Sequence, residues 1–104
     1  MAQVAVADRG AWVDWVVRVK WSTGHDGQLE VWKDGARVLR DAGPNCYNDG
    51  DDQAPYFKFG LYKWPWLASA ELAPSDVSQR RLYFDEIRIG DATAGFDAVS
   101  PPKR

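Results

Sequence analysis

The stretch from residue 12 to residue 21 constrains the fold most, because apolar and charged side chains alternate along it. The apolar positions are Trp15, Val17, Val19 and Trp21, and the charged positions between them include Asp14, Arg18 and Lys20. Successive side chains of a β-strand point to opposite faces, so this period of two predicts a strand with one apolar and one charged face. No segment keeps the period of an α-helix, and the sequence therefore predicts an all-β domain.

Two further strands are expected directly after this one. Residues 22–27 are rich in Ser, Gly and Asp, which favour a turn. Residues 28–33 alternate again and predict a second strand. Asp34-Gly35 is typical of a two-residue hairpin turn, after which residues 36–39 predict a third strand. Together these segments predict an antiparallel β-meander.

The second half of the sequence predicts two more strands, at residues 56–62 and residues 81–89. Residues 41–55 are rich in Gly, Pro, Asn and Asp and predict a loop. Residues 63–78 contain two prolines and predict a long excursion with room for one helical turn. We expect a short edge segment within residues 90–100. Antiparallel strands joined by such turns predict a β-sandwich or jelly roll.

Composition and charge exclude several classes of protein. A chain of 104 residues suits one domain, and its 13 basic and 15 acidic residues lack the basic excess of a general nucleic-acid binder. No apolar run approaches the roughly 18–20 residues that cross a membrane, so a membrane is not an expected partner either. The single Cys46 excludes an intrachain disulfide and a multi-cysteine zinc site. Residues 1–7 lack the basic start of a secretory signal, so we expect no signal peptide in this chain.

Four phrases of the sequence, in order, resemble a known family: WVDWVVRVKWS, DGQLEVWKDG, YFKFGLYK and RRLYFDEIRIG. They are similar to the C-terminal half of the heparin-lyase-I-like polysaccharide lyases. That group includes the glucuronan lyases and folds as a concanavalin-A-like jelly roll. The phrase YFKFGLYK also resembles the Tyr-Phe-Lys-x-Gly-x-Tyr signature of alginate lyases with the same fold.

The resemblance covers residues 12–90. It implies a single antiparallel β-sandwich domain over residues 1–104, without the N-terminal half of the family domain. The jelly roll would then be either partial or completed by oligomerisation. The resemblance also implies a secreted or periplasmic location.

The activity implied by the resemblance is cleavage of a uronic-acid-containing polysaccharide by β-elimination. In these lyases a tyrosine is the acid and often also the base, and the matching residue here is Tyr62, with Lys58 in the same phrase. A flat strand would place Tyr56, Lys58 and Tyr62 on one face, and Gly60 would leave room for a sugar ring. We therefore expect Tyr62 to be catalytic, and Tyr56 and Lys58 to bind substrate.

Three residues outside that phrase are further candidates for substrate binding. Arg18 and Lys20 either line a cationic groove for the polyuronate or form ion pairs with Asp14 and Glu30 across the sheet. Trp32 either stacks on a sugar or packs inside a two-layer sandwich.

An acidic loop is the one candidate for a metal site. Asp49, Asp51 and Asp52 offer carboxylate oxygens that suit calcium, but their spacing is not that of an EF-hand. A solvated loop is the alternative, and no cofactor is otherwise expected.

Two other functions compete with a lyase, namely a non-catalytic carbohydrate-binding module and a structural fragment without ligand. For a lyase and for a carbohydrate-binding module alike, the expected partner is an acidic polysaccharide. We also expect a homo-oligomer, because a jelly-roll half leaves strand edges and apolar side chains in need of cover. Those side chains are Trp15, Val17, Val19, Trp21, Phe57, Phe59 and Leu61.

Overall fold

Three antiparallel strands and one short helix are the regular elements of the residues that the computed structural model describes, 9–47, 55–62 and 78–103. The strands are β1 (Trp15–Lys20), β2 (Gln28–Lys33) and β3 (Ala36–Ala42), and the helix is α1 (Phe96–Val99). The strands form one sheet in the order β1-β2-β3, which confirms the all-β class and the predicted meander. The chain divides into two compact units, Met1–Pro55 with Arg88–Arg104, and Tyr56–Ile87.

The register of β1 against β2 confirms the two faces expected from the alternation. Val16, Arg18 and Lys20 pair with Trp32, Glu30 and Gln28 on one face. On the other face Trp15, Val17 and Val19 pair with Lys33, Val31 and Leu29. We call these the charged face and the apolar face of the sheet.

The turn between β2 and β3 has the geometry expected for Asp-Gly. Asp34 has φ 49° and Gly35 has φ 82°, and positive φ at both central positions is what a type I′ hairpin turn requires. Two hydrogen bonds join this turn to the residue before β1. The Asp34 amide donates to the Asp14 carbonyl oxygen at 2.8 Å, and the Asp14 amide donates to Asp34 Oδ1 at 3.0 Å.

Strand β3 continues three residues past the predicted end at Leu39, and it contains a bulge. Leu39 pairs with Val31 and Arg37 pairs with Trp32, so Val38 is an extra residue without a partner on β2. The bulge resets the alternation of side chains along β3. Arg37 therefore lies on the charged face, as does Arg40, which pairs with Glu30.

The small packed region lies on the charged face, at the end nearest the β2–β3 turn. Val16 is the buried apolar residue there, at 7% exposure, and Trp32 beside it is half-buried. Phe96 of α1 contacts the Trp32 ring edge to face, with 5.4 Å between ring centroids. The apolar face is much more open, since Val17 is 56% exposed. Within the described ranges, no helix is long and apolar enough to span a membrane.

Two predicted strands are wrong. The described residues 55–62 and 81–89 contain no strand, because a strand needs a backbone ladder and none is formed there. Positive φ at Gly60 (140°) and Glu86 (52°) also interrupts each extended segment. Aromatic contacts join the described segments instead, with ring centroids 5.8 Å apart for Phe57 and Phe59 and 5.2 Å apart for Phe59 and Phe84.

The edge segment expected within residues 90–100 is also wrong, since this stretch contains α1. The Ser100 amide donates to the Phe96 carbonyl oxygen at 2.9 Å and closes the single turn. The loop predicted from residue 41 begins after Ala42, where β3 ends. The helical turn allowed for residues 63–78 falls almost entirely outside the described residues.

Candidate functional site

A row of charged side chains crosses the sheet on the charged face. Arg18 of β1 is directly opposite Glu30 of β2, which is directly opposite Arg40 of β3. Opposite residues in an antiparallel sheet bring their Cβ atoms within about 4.5–5.5 Å of each other, so the three side chains are neighbours. They line a shallow recess of about 240 Å³, together with Gln28, Asp41 and Ala42.

Glu30 is the anchor of this row. Its side chain is only 15% exposed, and its two carboxylate oxygens contact different arginines. Arg37 Nη1 donates to Glu30 Oε2 at 3.1 Å, and Arg18 Nη1 is 3.5 Å from Glu30 Oε1. The expected cross-strand pairing of Arg18 is therefore present. Arg18 still has 70% of its side chain exposed, and its binding of a polyuronate stays a prediction.

Arg40 differs from the other two arginines of the charged face. All three are exposed, but within the described residues the guanidinium of Arg40 forms neither an ion pair nor a hydrogen bond. It nevertheless lines the recess. Sequence reasoning missed Arg40, because a strand ending at Leu39 excludes it. Residues 36–40 read Ala-Arg-Val-Leu-Arg, and the adjacent apolar pair Val38-Leu39 breaks the alternation, so no regular pattern places Arg40 on this face.

Lys20 points toward the β1–β2 turn. Lys20 Nζ lies 3.0 Å from Asp26 Oδ2, and the Ser22 hydroxyl donates to Asp26 Oδ1 at 2.5 Å. The Ser22 hydrogen bond, followed by the hydrogen bond and charge of Lys20, lowers the pKa of Asp26 from 3.8 to about 2. Lys20 was expected to pair with Asp14 or Glu30 or to line a groove; its observed partner is Asp26, and its substrate role stays a prediction.

Asn45 closes the end of the sheet that carries this turn. Its side-chain Oδ1 accepts a hydrogen bond from the backbone amide of Ser22 at 2.8 Å, and the backbone amide of Asn45 donates to the Ser22 carbonyl oxygen at 2.9 Å. Asn45 Nδ2 donates to the Lys20 carbonyl oxygen at 3.0 Å. The neighbouring Gly43 amide donates to the Gly27 carbonyl oxygen at 2.9 Å. These bonds hold the rim of the recess, where Gln28 and Ala42 lie, to the turn.

Trp32 lies on the charged face but is partly covered. Its contact with Phe96 and its half-buried position agree with the packing interpretation. A role for Trp32 in sugar stacking stays a prediction.

The three candidate residues of YFKFGLYK are all exposed. Tyr56 is 73% and Tyr62 is 80% exposed, and Lys58 Nζ lies 4.9 Å from the centre of the Tyr56 ring. Between them, a Cβ added at Gly60 would meet no heavy atom within 4 Å, so the open space expected beside this glycine is present. Tyr56 and Lys58 are therefore brought together.

A family model described as polysaccharide lyase matches residues 2–88. The chain belongs to the polysaccharide lyase family. No curated protein and no solved structure matches the chain.

The region matched by the family model contains every predicted site residue, from Arg18 to Tyr62. It also contains the recess and Asn45, whereas α1 and its Phe96 lie outside it. Arg18, Lys20 and Trp32 belong to one compact unit of the chain, and Tyr56, Lys58 and Tyr62 belong to the other.

The predicted calcium loop lies outside the described residues, because Asp49, Asp51 and Asp52 all fall in the interval 48–54. Within the described part of the chain, no group of three or more His, Cys, Asp or Glu side chains is placed to hold a metal ion.

Proposed function

We propose that this polysaccharide lyase domain cleaves a uronic-acid-containing polysaccharide by β-elimination. The observation that carries the proposal is the family match over residues 2–88, which includes the complete phrase YFKFGLYK. Two features support the proposal. Tyr62 is exposed and can transfer a proton, which elimination requires, and the arginines around the recess can bind an acidic polymer.

The proposed reaction needs three groups. A cation or hydrogen-bond donor neutralises the uronate carboxylate, which makes the C5 proton acidic. A base removes that proton, the electron pair forms the C4=C5 double bond, and the C4–O4 bond breaks. An acid then protonates the departing glycosidic oxygen. The products are an unsaturated uronate and a new reducing end.

In this proposal Tyr62 is the acid and, in its deprotonated form, also the base. Lys58 and Tyr56 bind the sugar near Tyr62. Arg18, Lys20 and Trp32 are assigned to binding the polymer elsewhere. Because the substrate is many sugar residues long, the sheet and the YFKFGLYK segment need not contact the same sugar.

The fold that goes with this proposal is a concanavalin-A-like jelly roll. The three-stranded meander supports this fold, because its exposed apolar face can pack on a second layer. Val17 and Trp15, which are 56% and 45% exposed, are the side chains that a second sheet would cover.

Incubation with glucuronan, alginate and heparin tests the reaction, because elimination creates an ultraviolet-absorbing double bond and hydrolysis does not. We expect product from at least one polymer and loss of activity in Tyr62→Phe, which removes only the hydroxyl. Tyr83→Phe is the matched control, since Tyr83 is 69% exposed in the same unit and has no proposed role. It should keep full activity.

Two results would contradict the proposal. Full activity of Tyr62→Phe in an otherwise active chain would remove Tyr62 from the chemistry. Binding of an acidic polymer without any unsaturated product would identify a carbohydrate-binding module instead of a lyase.

A further inference from the structure

We infer that Arg40 binds a carboxylate group of the acidic polysaccharide in the recess on the charged face. Arg37, on the same strand and face, instead holds Glu30 in place beside it. This assignment rests on the proposed function for its substrate class, and it adds a binding residue that the YFKFGLYK phrase does not contain.

The first observation is the position of Arg40. It is opposite Glu30 in the ladder, and the β-bulge at Val38 puts it on the same face as Arg37. Of these two arginines of β3, Arg40 lines the recess and Arg37 does not. An anion in the recess therefore meets the Arg40 side chain.

The second observation is the difference in partners. Arg37 donates to Glu30 at 3.1 Å and Arg18 lies 3.5 Å from the same carboxylate, so both guanidiniums are already neutralised in part. Within the described residues Arg40 has no such partner. An anion that binds Arg40 breaks no existing ion pair, whereas one that binds Arg37 competes with Glu30.

The chemistry of the lining fits a uronic acid residue. A guanidinium is a planar fork that binds a carboxylate through two parallel hydrogen bonds. The Gln28 amide and the Glu30 carboxylate, on residues that also line the recess, suit the hydroxyl groups of a sugar. The volume of about 240 Å³ is below that of pockets for drug-sized ligands, about 300–1,000 Å³. It therefore suits one sugar of a chain that continues past it.

The test compares two substitutions on the same strand and face, Arg40→Gln and Arg37→Gln. Both remove one positive charge. The probe is a tetrasaccharide of glucuronic acid, and the control ligand is the same tetrasaccharide with its carboxyl groups reduced to alcohols. Calorimetric titration is done in a Tyr62→Phe background so that the probe is not consumed.

We expect Arg40→Gln to weaken binding of the acidic tetrasaccharide about tenfold, as loss of a charged hydrogen-bonded contact does. Arg37→Gln should change the affinity for the acidic tetrasaccharide by less than about twofold. Arg40→Lys should recover only part of the loss, because lysine lacks the planar guanidinium that forms two parallel hydrogen bonds. Binding of the reduced tetrasaccharide should not depend on Arg40. An unchanged thermal unfolding midpoint shows that each variant is folded.

Equal weakening by Arg40→Gln and Arg37→Gln would overturn the inference, because it would indicate general attraction between charges. Unchanged binding by Arg40→Gln, or no binding by the parent chain, would overturn it too. A cleavage assay on the chain with Tyr62 intact separates this inference from the proposed function. Specific loss in Arg40→Gln without any unsaturated product would support the binding residue and refute the lyase reaction. Cleavage that Arg40→Gln leaves unchanged would support the lyase reaction and refute Arg40 as a binding residue.

Discussion

Gly27 should tolerate no side chain, because the backbone of another segment lies against its Cα. The residue is buried at the end of the β1–β2 turn. A Cβ built at Gly27 would lie 2.1 Å from the Gly43 carbonyl oxygen, 3.1 Å from the Gly43 carbonyl carbon and 3.2 Å from Asn45 Cγ. The closest atom belongs to the backbone, so no rotation of a side chain relieves the clash. In Gly27→Ala the two segments must move apart.

The hydrogen bonds between the two segments give the size of the effect. The carbonyl oxygen has to move by about 1 Å or more to reach ordinary van der Waals contact. That movement strains the 2.9 Å bond from the Gly43 amide to Gly27 and the two bonds between Asn45 and the Ser22 backbone. Each contributes about 0.5–1.5 kcal/mol, so Gly27→Ala should lower the free energy of unfolding by about 2–4 kcal/mol.

Gly24→Ala is the matched control in the same turn. A Cβ at Gly24 would meet Asp26 Oδ1 at 3.5 Å and Ser22 Oγ at 3.6 Å, which are ordinary contacts, and its φ is not positive. Alanine there should be neutral or stabilise by up to about 1 kcal/mol, since it restricts the unfolded chain. Urea denaturation of both variants measures the difference. A Gly27→Ala variant within about 0.5 kcal/mol of the parent chain would refute the argument.

Four other predictions follow from the described contacts and from the open apolar face. Asn45→Ala should lower the free energy of unfolding by about 1–3 kcal/mol in urea denaturation, because the partly buried Ser22 amide and the Lys20 carbonyl oxygen lose their side-chain partner. The pKa of Asp26, lowered from 3.8 to about 2 chiefly by the Ser22 hydroxyl, makes a contribution to stability that is present above pH 3.8 and is lost as the pH falls through about 2. Asp26→Asn should therefore flatten the pH dependence of the unfolding midpoint in that window, and an unchanged slope would contradict the pairing. A double-mutant cycle between Trp32 and Phe96 should give a coupling energy of about 0.5–1.5 kcal/mol, and additive effects would contradict their contact. Light scattering at micromolar concentration should show a homo-oligomer, whereas a monodisperse species of 11.7 kDa would refute it.

The candidate site was predictable only in part. Arg18 and its cross-strand partner Glu30 were both named from the alternation, because directly opposed strands joined by short turns leave little choice of pairing. Arg40 was not, since its place in the row depends on how far β3 continues. The exposure of Tyr62 and the contact between Lys58 and Tyr56 agree with surface positions, but no strand holds them. The prediction that Tyr56, Lys58 and Tyr62 share one face depends on a strand at residues 56–62, which the structure does not contain.

Local sequence patterns are sufficient to predict the three-stranded meander. A period of two along β1 and β2 selects strands, and Asp34-Gly35 accepts the positive φ that a tight hairpin needs. Both signals are local, so they need no knowledge of the rest of the chain.

Which arginines share a face depends on how β3 pairs with β2. Strict alternation puts residues three apart on opposite faces, and so it separates Arg37 from Arg40. The bulge at Val38 brings both to the face of Glu30, because one unpaired residue shifts the register of everything after it. Likewise, the helical turn that contacts Trp32 lies more than sixty residues further along the chain. Pairing energies and contacts between distant segments set these features, and a local pattern does not contain them.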